Sequence, residues 1–140
     1  RNWANAGELA MAALMADPDL QAGEVKGGLA GSLSAQMRAL VTAFATTRGR
    51  QIALALAASD PESEMTKAFR NRVILSSREA GRRLIGDAVA RGEITAPADI
   101  ETVLDMIYAP VFYRLLVGHL PLDLQFADSL VARALALLVR

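Results

Sequence analysis

Apolar residues recur three and four positions apart along most of this chain, and clusters of Gly, Pro and Asp cut the pattern into six stretches. That periodicity predicts six helices. Asn5 followed by Glu8 has the spacing of a capping box, so a first helix runs over residues 6–16 until Asp17-Pro18-Asp19 ends it. The second carries Leu29, Leu33, Met37, Leu40, Val41 and Phe44, with a start weakened by Gly27, Gly28 and Gly31 that is expected to fray or begin late. Arg48-Gly49-Arg50 punctuates, and QIALALAAS follows as a third helix of about two turns. Asp60 as N-cap and Pro61 at the first helical position open a fourth, uninterrupted until Gly92; at 1.5 Å per residue it extends about 45 Å. Its apolar face holds Met65, Phe69, Val73, Ala80, Leu84 and Ala88, while Arg70, Arg78, Arg82 and Arg91 mostly lie elsewhere.

Asp99 is placed to cap or charge the start of the fifth helix, whose apolar stripe runs Ile100, Val103, Leu104, Ile107, Tyr108, Val111, Phe112, Leu115 and Leu116. Pro110 falls inside this stripe, removes one backbone hydrogen bond and frees the carbonyl of Met106, which predicts a kink. The freed carbonyl is either a tolerated defect or a polar group aimed into a pocket or an interface. After GHLPLD the sixth helix carries Phe126, Ala127, Leu130, Val131, Ala134, Leu135 and Leu138. The apolar surface of these last two helices is wider than one core contact requires. The surplus is best buried against another chain.

Composition agrees with an all-α single domain: 140 residues, 53% hydrophobic but only 5% aromatic, with alanine abundant. Fifteen basic and fifteen acidic residues balance to zero, so the chain carries no global field for nucleic acid or an anionic membrane. There is no cysteine, which suits a reducing cytoplasm, and no apolar run reaches the roughly 18 residues of a membrane span. The chain starts at Arg1 without a signal segment, so its beginning reads as a fragment boundary.

Candidate chemistry is sparse. The single histidine, His119, sits at a helix end beside Gly118, where an imidazole commonly satisfies a last-turn carbonyl. No HExxH or ExxH motif accompanies it, so no metal is expected. Glu62/Glu64 and Asp99/Glu101 fall in first helical turns, where carboxylates favour the helix dipole rather than acid–base work. Ser76-Ser77 has no nucleophile elbow, and the glycines near residue 27 are not followed by the Lys-Ser/Thr of a phosphate loop. These residues predict neither an enzyme nor a cofactor.

Three segments together bring a family into view. Trp3, Asn5 and Leu9 fit the end of a Tyr-x-x-Trp/Phe-x-Ser/Asn-Lys-x-x-Leu pattern; FRNRVILSSREAGRRLIGDAVARGEI resembles a long helix ending in Ala-x-x-x-Gly-Glu; MIYAPVFYRLLVGHLPLD resembles a Gly/Ala-Pro-x-x-Tyr-Arg-Leu-Leu segment. Arg91-Gly92-Glu93, Pro110, Tyr113, Arg114, Leu115 and Leu116 carry the match. In this order they resemble the C-terminal regulatory domain of a TetR-family transcriptional repressor. The pattern departs at Ala6, where the family has a lysine, so that lysine's phosphate contact does not carry over.

The resemblance implies residues 1–5 as a remnant of the DNA-binding domain with Trp3 and Asn5 nearest DNA, 6–16 as a connector helix, and 17–140 as an effector-binding and dimerisation domain. It implies that the last two helices pair with their copies in a homodimer as a four-helix bundle. Tyr108, Val111, Leu115, Leu130, Ala134, Leu137 and Leu138 are the expected interface, with Ala127 and Ala134 small enough for close helix approach. A pocket for a small hydrophobic effector is expected among Leu33, Met37, Val41, Phe69, Val73, Ser76, Ile107 and Phe112, with Arg72 or Ser77 as polar contacts if turned inward. Operator DNA would be reached only through the missing helix-turn-helix. The competing expectation is an obligate helical interaction module with no small-molecule ligand.

Overall fold

The computed structural model describes residues 27–45, 47–58 and 60–138, without the side chains of residues 47, 48, 50, 53, 57 and 73. All regular structure among them is helical: α1 (Gly28–Phe44), α2 (Thr47–Ala58), α3 (Glu64–Phe69), a π-helical segment (Arg70–Leu75), α4 (Ser76–Ala90), α5 (Ile100–Val117) and α6 (Leu124–Leu138). α3, the π segment and α4 follow without a break, giving five helical bodies. The helix expected over residues 6–16, with Trp3 and Asn5 before it, lies outside the described residues.

Helix α1 is the central member. It packs most extensively along α6, crosses α4, and touches α2 and α5. Leu29, Leu33, Met37, Leu40, Val41 and Phe44 are all buried, as a 3.6-residue period requires of a helix covered on one broad side. On its outer side Arg38 grips Asp128 of α6 with two parallel bonds of 2.9 and 2.7 Å. The start expected to fray is helical from Gly28 onward.

Two boundaries differ from the sequence reading. Arg48-Gly49-Arg50 does not break the chain but lies within α2, which begins at Thr47. Gly49 is what permits this, since a Cβ there would stand 1.7 Å from the carbonyl oxygen of Phe44. The N-cap of the long helix is Ser63, not Asp60: its Oγ accepts from the Thr66 amide at 3.2 Å and donates to the Thr66 hydroxyl at 2.8 Å. Asp60 instead closes the preceding turn, accepting from the amides of Glu62 and Ser63. The long helix is also not uniform, because residues 70–75 hold a widened π turn that accommodates an extra residue.

Asp99 caps α5 as expected, accepting from the Thr102 amide at 3.1 Å and from its hydroxyl at 2.7 Å. Pro110 is absorbed without ending the helix, which continues to Val117. Met106 and Ala109 are exposed, so the interrupted bond lies on the outer side. Gly118 closes α5 in the left-handed conformation, its amide donating to the Arg114 carbonyl. His119 does not take the capping role; its ring meets that of Tyr113 edge-on at 5.0 Å.

An ion-pair network ties α4 to α5. Glu101 accepts from Arg78 at 2.8 Å and Arg82 at 2.7 Å, while Arg78 also reaches Asp105 and Arg82 reaches Glu79. Hydrogen bonds from Arg82 and then Arg78 hold the Glu101 carboxyl at about 2, below its ordinary 4.5. A lowered carboxylate pKa adds stability above the ordinary value that is lost as pH falls through the folded one. Glu101→Gln should therefore lower the melting temperature at pH 7, and the gap should close between about pH 4.5 and 2. The group is solvent-exposed, so salt should shrink the difference. A pH-independent gap in thermal melts would refute the assignment.

Candidate functional site

The helices α1, α3 and α5 converge on an apolar centre. Leu33, Met37 and Val41 enter it from α1, Phe69 from the end of α3, and Ile107 from α5, all of them buried. Phe112 packs against the same cluster. Phe44 joins the two aromatics edge to face, with ring centroids 6.5 Å from Phe69 and 5.4 Å from Phe112. Six of the eight expected effector residues thus share one continuous cluster. Ser76 stands half-buried at the first position of α4, and the Val73 side chain is outside the described set. Arg72 is exposed rather than turned inward, whereas Ser77 is buried.

Ser77 belongs to a polar bridge that the sequence reading missed. The hydroxyl of Tyr108 donates to Gln36 Oε1 at 2.5 Å, and Gln36 Nε2 donates to the Ser77 carbonyl at 2.8 Å, linking α5, α1 and α4. Burial pushes the Tyr108 phenol well above its ordinary range, against the smaller opposing effect of the Gln36 bond. It therefore remains a neutral hydrogen-bonding group. Room for the ring comes from Gly81, where a Cβ would stand 2.2 Å from the Tyr108 oxygen. The available signals were Gln36 amid the stripe of Leu33, Met37 and Leu40, and a glycine in mid-helix.

Tyr108, expected at the interface, is therefore turned inward within the single chain. Together with Val111, Ala134 and Leu138 it is buried in the chain's own core; Leu115 and Leu130 are partly buried against that core, and of the seven expected interface residues Leu137 is the exposed one. The reason is helical phase. Leu104, Ile107, Tyr108 and Val111 form the i, i+3, i+4, i+7 set that faces inward, which turns Met106, Tyr113, Leu116 and Val117 outward. Tyr113 is 60% exposed and Leu116 and Val117 55% each. Leu120 and Leu124 extend this apolar surface around the α5–α6 turn. Beneath it, Arg114 stacks 3.9 Å from the Phe126 ring centre and donates to the Pro121 carbonyl at 2.7 Å, fixing the hairpin.

A separate cleft of about 430 Å³ opens at the other end of the hairpin, between residues 95–99, Thr102 and Val103 and the α6 residues Leu137 and Leu138. None of the expected effector residues lines it. Among the described residues, no group of three or more His, Cys, Asp or Glu side chains could hold a metal ion, and no helix is long and apolar enough to cross a membrane.

Residues 25–134 match the family model described as the tetracyclin repressor-like C-terminal domain. The chain belongs to the TetR family of transcription regulators. It is 29% identical over 92 residues to the uncharacterized HTH-type transcriptional regulator YdeS of Bacillus subtilis (strain 168), a match that takes in 65% of this chain and 46% of that protein. The chain therefore spans about half the length of this curated relative. The crystal structure of the TetR family transcription regulator SCO0332 is similar with a TM-score of 0.75 and 25% identity, over 96% of this chain and 75% of that one. For this TetR-family chain the all-α architecture and the family assignment made from Arg91-Gly92-Glu93 and the Pro110–Leu116 segment both stand.

Proposed function

We propose that this chain is the effector-sensing and dimerising part of a ligand-controlled transcriptional repressor, with no catalytic role. The observation that carries the reading is the exposed apolar stripe of α5, Met106, Tyr113, Leu116 and Val117, continued by Leu120, Leu124 and Leu137. About three turns of one helix left bare of polar cover are best satisfied by a second copy, α5 and α6 of each chain forming a four-helix bundle. Tyr108 and Val111 lie behind that surface and support it rather than face the partner.

The effector belongs in the centre bounded by Met37, Val41, Phe69 and Phe112, where apolar walls favour a hydrophobic molecule. Gln36 and Tyr108 supply the neutral polar contact at its edge. The π segment borders this centre, and such widened turns cluster at functional sites. A ligand that prefers one arrangement of the helices shifts the dimer toward it by its differential affinity. Heads bound to half-sites about 34 Å apart would feel that shift as a change in spacing.

Light scattering on the intact chain should give a dimer, and Val117→Glu, which places a charge in the proposed interface, should weaken it by at least about tenfold. A thermal-shift screen with small apolar compounds should then raise the melting temperature for a subset, an effect that Phe69→Leu or Tyr108→Phe reduces. A monomeric parent chain sinks the dimer. A dimer that no compound stabilises favours the ligand-free interaction module.

A further inference from the structure

The Arg91-Gly92-Glu93 motif is left unused by the effector centre and the partner surface, and its geometry gives each residue a task. Gly92 adopts φ +81° after α4; its amide donates to the Val89 carbonyl at 3.0 Å, and that of Glu93 to the Ala88 carbonyl at 2.9 Å. These two bonds make a left-handed helix stop that turns the chain sharply. The turn carries the Glu93 carboxylate to the beginning of α1, 64 residues away in sequence, where Oε2 accepts from the Leu29 amide in a long bond of 3.4 Å. Arg91 holds the same carboxylate from the other side, its Nε donating to Oε1 at 2.8 Å.

Helix α1 has no cap of its own. Gly27 occupies the N-cap position at φ 106° and offers no side chain, and Gly28 follows at φ 65°. Both conformations favour glycine. The carboxylate lies so close over Gly28 that a Cβ there would stand 2.6 Å from Oε2. A negative group at this end also faces the positive pole of a 17-residue helix. The missing local cap and the two left-handed glycines are thus matched by one side chain from a distant turn.

We propose that Glu93 is a positioning residue that latches the start of α1 to the end of α4 and thereby fixes the direction from which the preceding chain arrives. Two consecutive glycines without this latch form a swivel; with it they form a fixed corner. Because α4 borders the effector centre, a displacement of its C-terminal turn moves the corner, and with it whatever α1 is joined to. That consequence for control rests on the regulator reading above, whereas the latch does not.

The test uses the intact 140-residue chain and two variants, Glu93→Ala and Glu93→Gln. Hydrogen exchange by NMR should show the Leu29 amide exchanging roughly fivefold faster in Glu93→Ala, the loss typical of a removed cap, with α6 amides unchanged. The Gly27 and Gly28 amides should show lower heteronuclear NOE values in the same variant, as the fixed corner becomes a swivel. Glu93→Gln, whose carboxamide oxygen still accepts, should restore both readouts most of the way. Unchanged Leu29 exchange overturns the proposal, as does faster exchange spread evenly over α4–α6, which marks general destabilisation. Faster exchange at Leu29 with the Gly27 and Gly28 amides no more mobile overturns the positioning role and leaves a helix cap. Neither effector nor DNA enters the experiment, so its failure leaves the regulator reading standing.

Discussion

Phe44→Ala should destabilise the chain by about 3–5 kcal/mol, a large part of the 5–15 kcal/mol that typically holds a domain folded. Phe44 is 1% exposed and closes α1 at the point where the rings of Phe69 and Phe112 meet it edge to face. Truncation removes the transfer free energy of the ring, both aromatic contacts, and leaves a void that α1, fastened to α6 by Arg38 and Asp128, is poorly able to close. Urea unfolding should show a lower midpoint at an unchanged slope, the sign of lost stability rather than altered compactness. A dry apolar void of that kind accepts small aromatics. Benzene should therefore stabilise the variant more than the parent. A loss under about 1 kcal/mol would mean that the centre is loosely packed and that Phe44 does not organise it.

The architecture was legible because it depends on burial periodicity, which tertiary context seldom overrides. Leu33, Met37 and Val41 are buried as their spacing demands, and Asp99 caps because an Asp before a helical run has an acceptor where the free amides are. What resisted reading was set by partners distant in sequence. Gly27 and Gly28 read as a weak start, since nothing local reveals that Glu93 arrives from 64 residues away to cap it. Gly49 read as a breaker, although its role is the close approach of α2 to the Phe44 carbonyl. The π segment leaves no trace in periodicity because a single wide turn shifts phase by only one residue.

The site divides along the same line. The expected effector residues Leu33, Met37, Val41, Phe69, Ile107 and Phe112 fall in or against one buried cluster because their helical spacing is that of a core. Tyr108, expected at the interface, is buried within its own chain, because the stripe of α5 exceeds half its circumference and apolarity alone does not say which half faces inward. The choice is made by polar geometry, in the bond from Tyr108 to Gln36 and the missing side chain at Gly81. With Tyr108 inward, Met106, Tyr113 and Val117 must face out. One buried hydroxyl thus goes with the phase that turns this apolar stripe outward.

That dependence can be measured. Gly81→Ala should cost about 1–3 kcal/mol, since its Cβ would stand 2.2 Å from the Tyr108 oxygen and 2.9 Å from two ring carbons. Tyr108 has little freedom to yield, being 5% exposed and tied to Gln36. Tyr108→Phe alone should cost about 1–3 kcal/mol by leaving Gln36 Oε1 without its donor. In the double variant the closest clash disappears with the hydroxyl, so the combined loss should fall short of the sum by about 0.5 kcal/mol or more, as neighbours in contact do. Ring carbons at 2.9 Å keep the rescue incomplete. Simple additivity in urea unfolding would show that the hydroxyl does not set the approach of α4 to α5. Because the same hydroxyl holds the phase of α5, Gly81→Ala should also weaken the proposed dimerisation in light scattering, although Gly81 itself is buried.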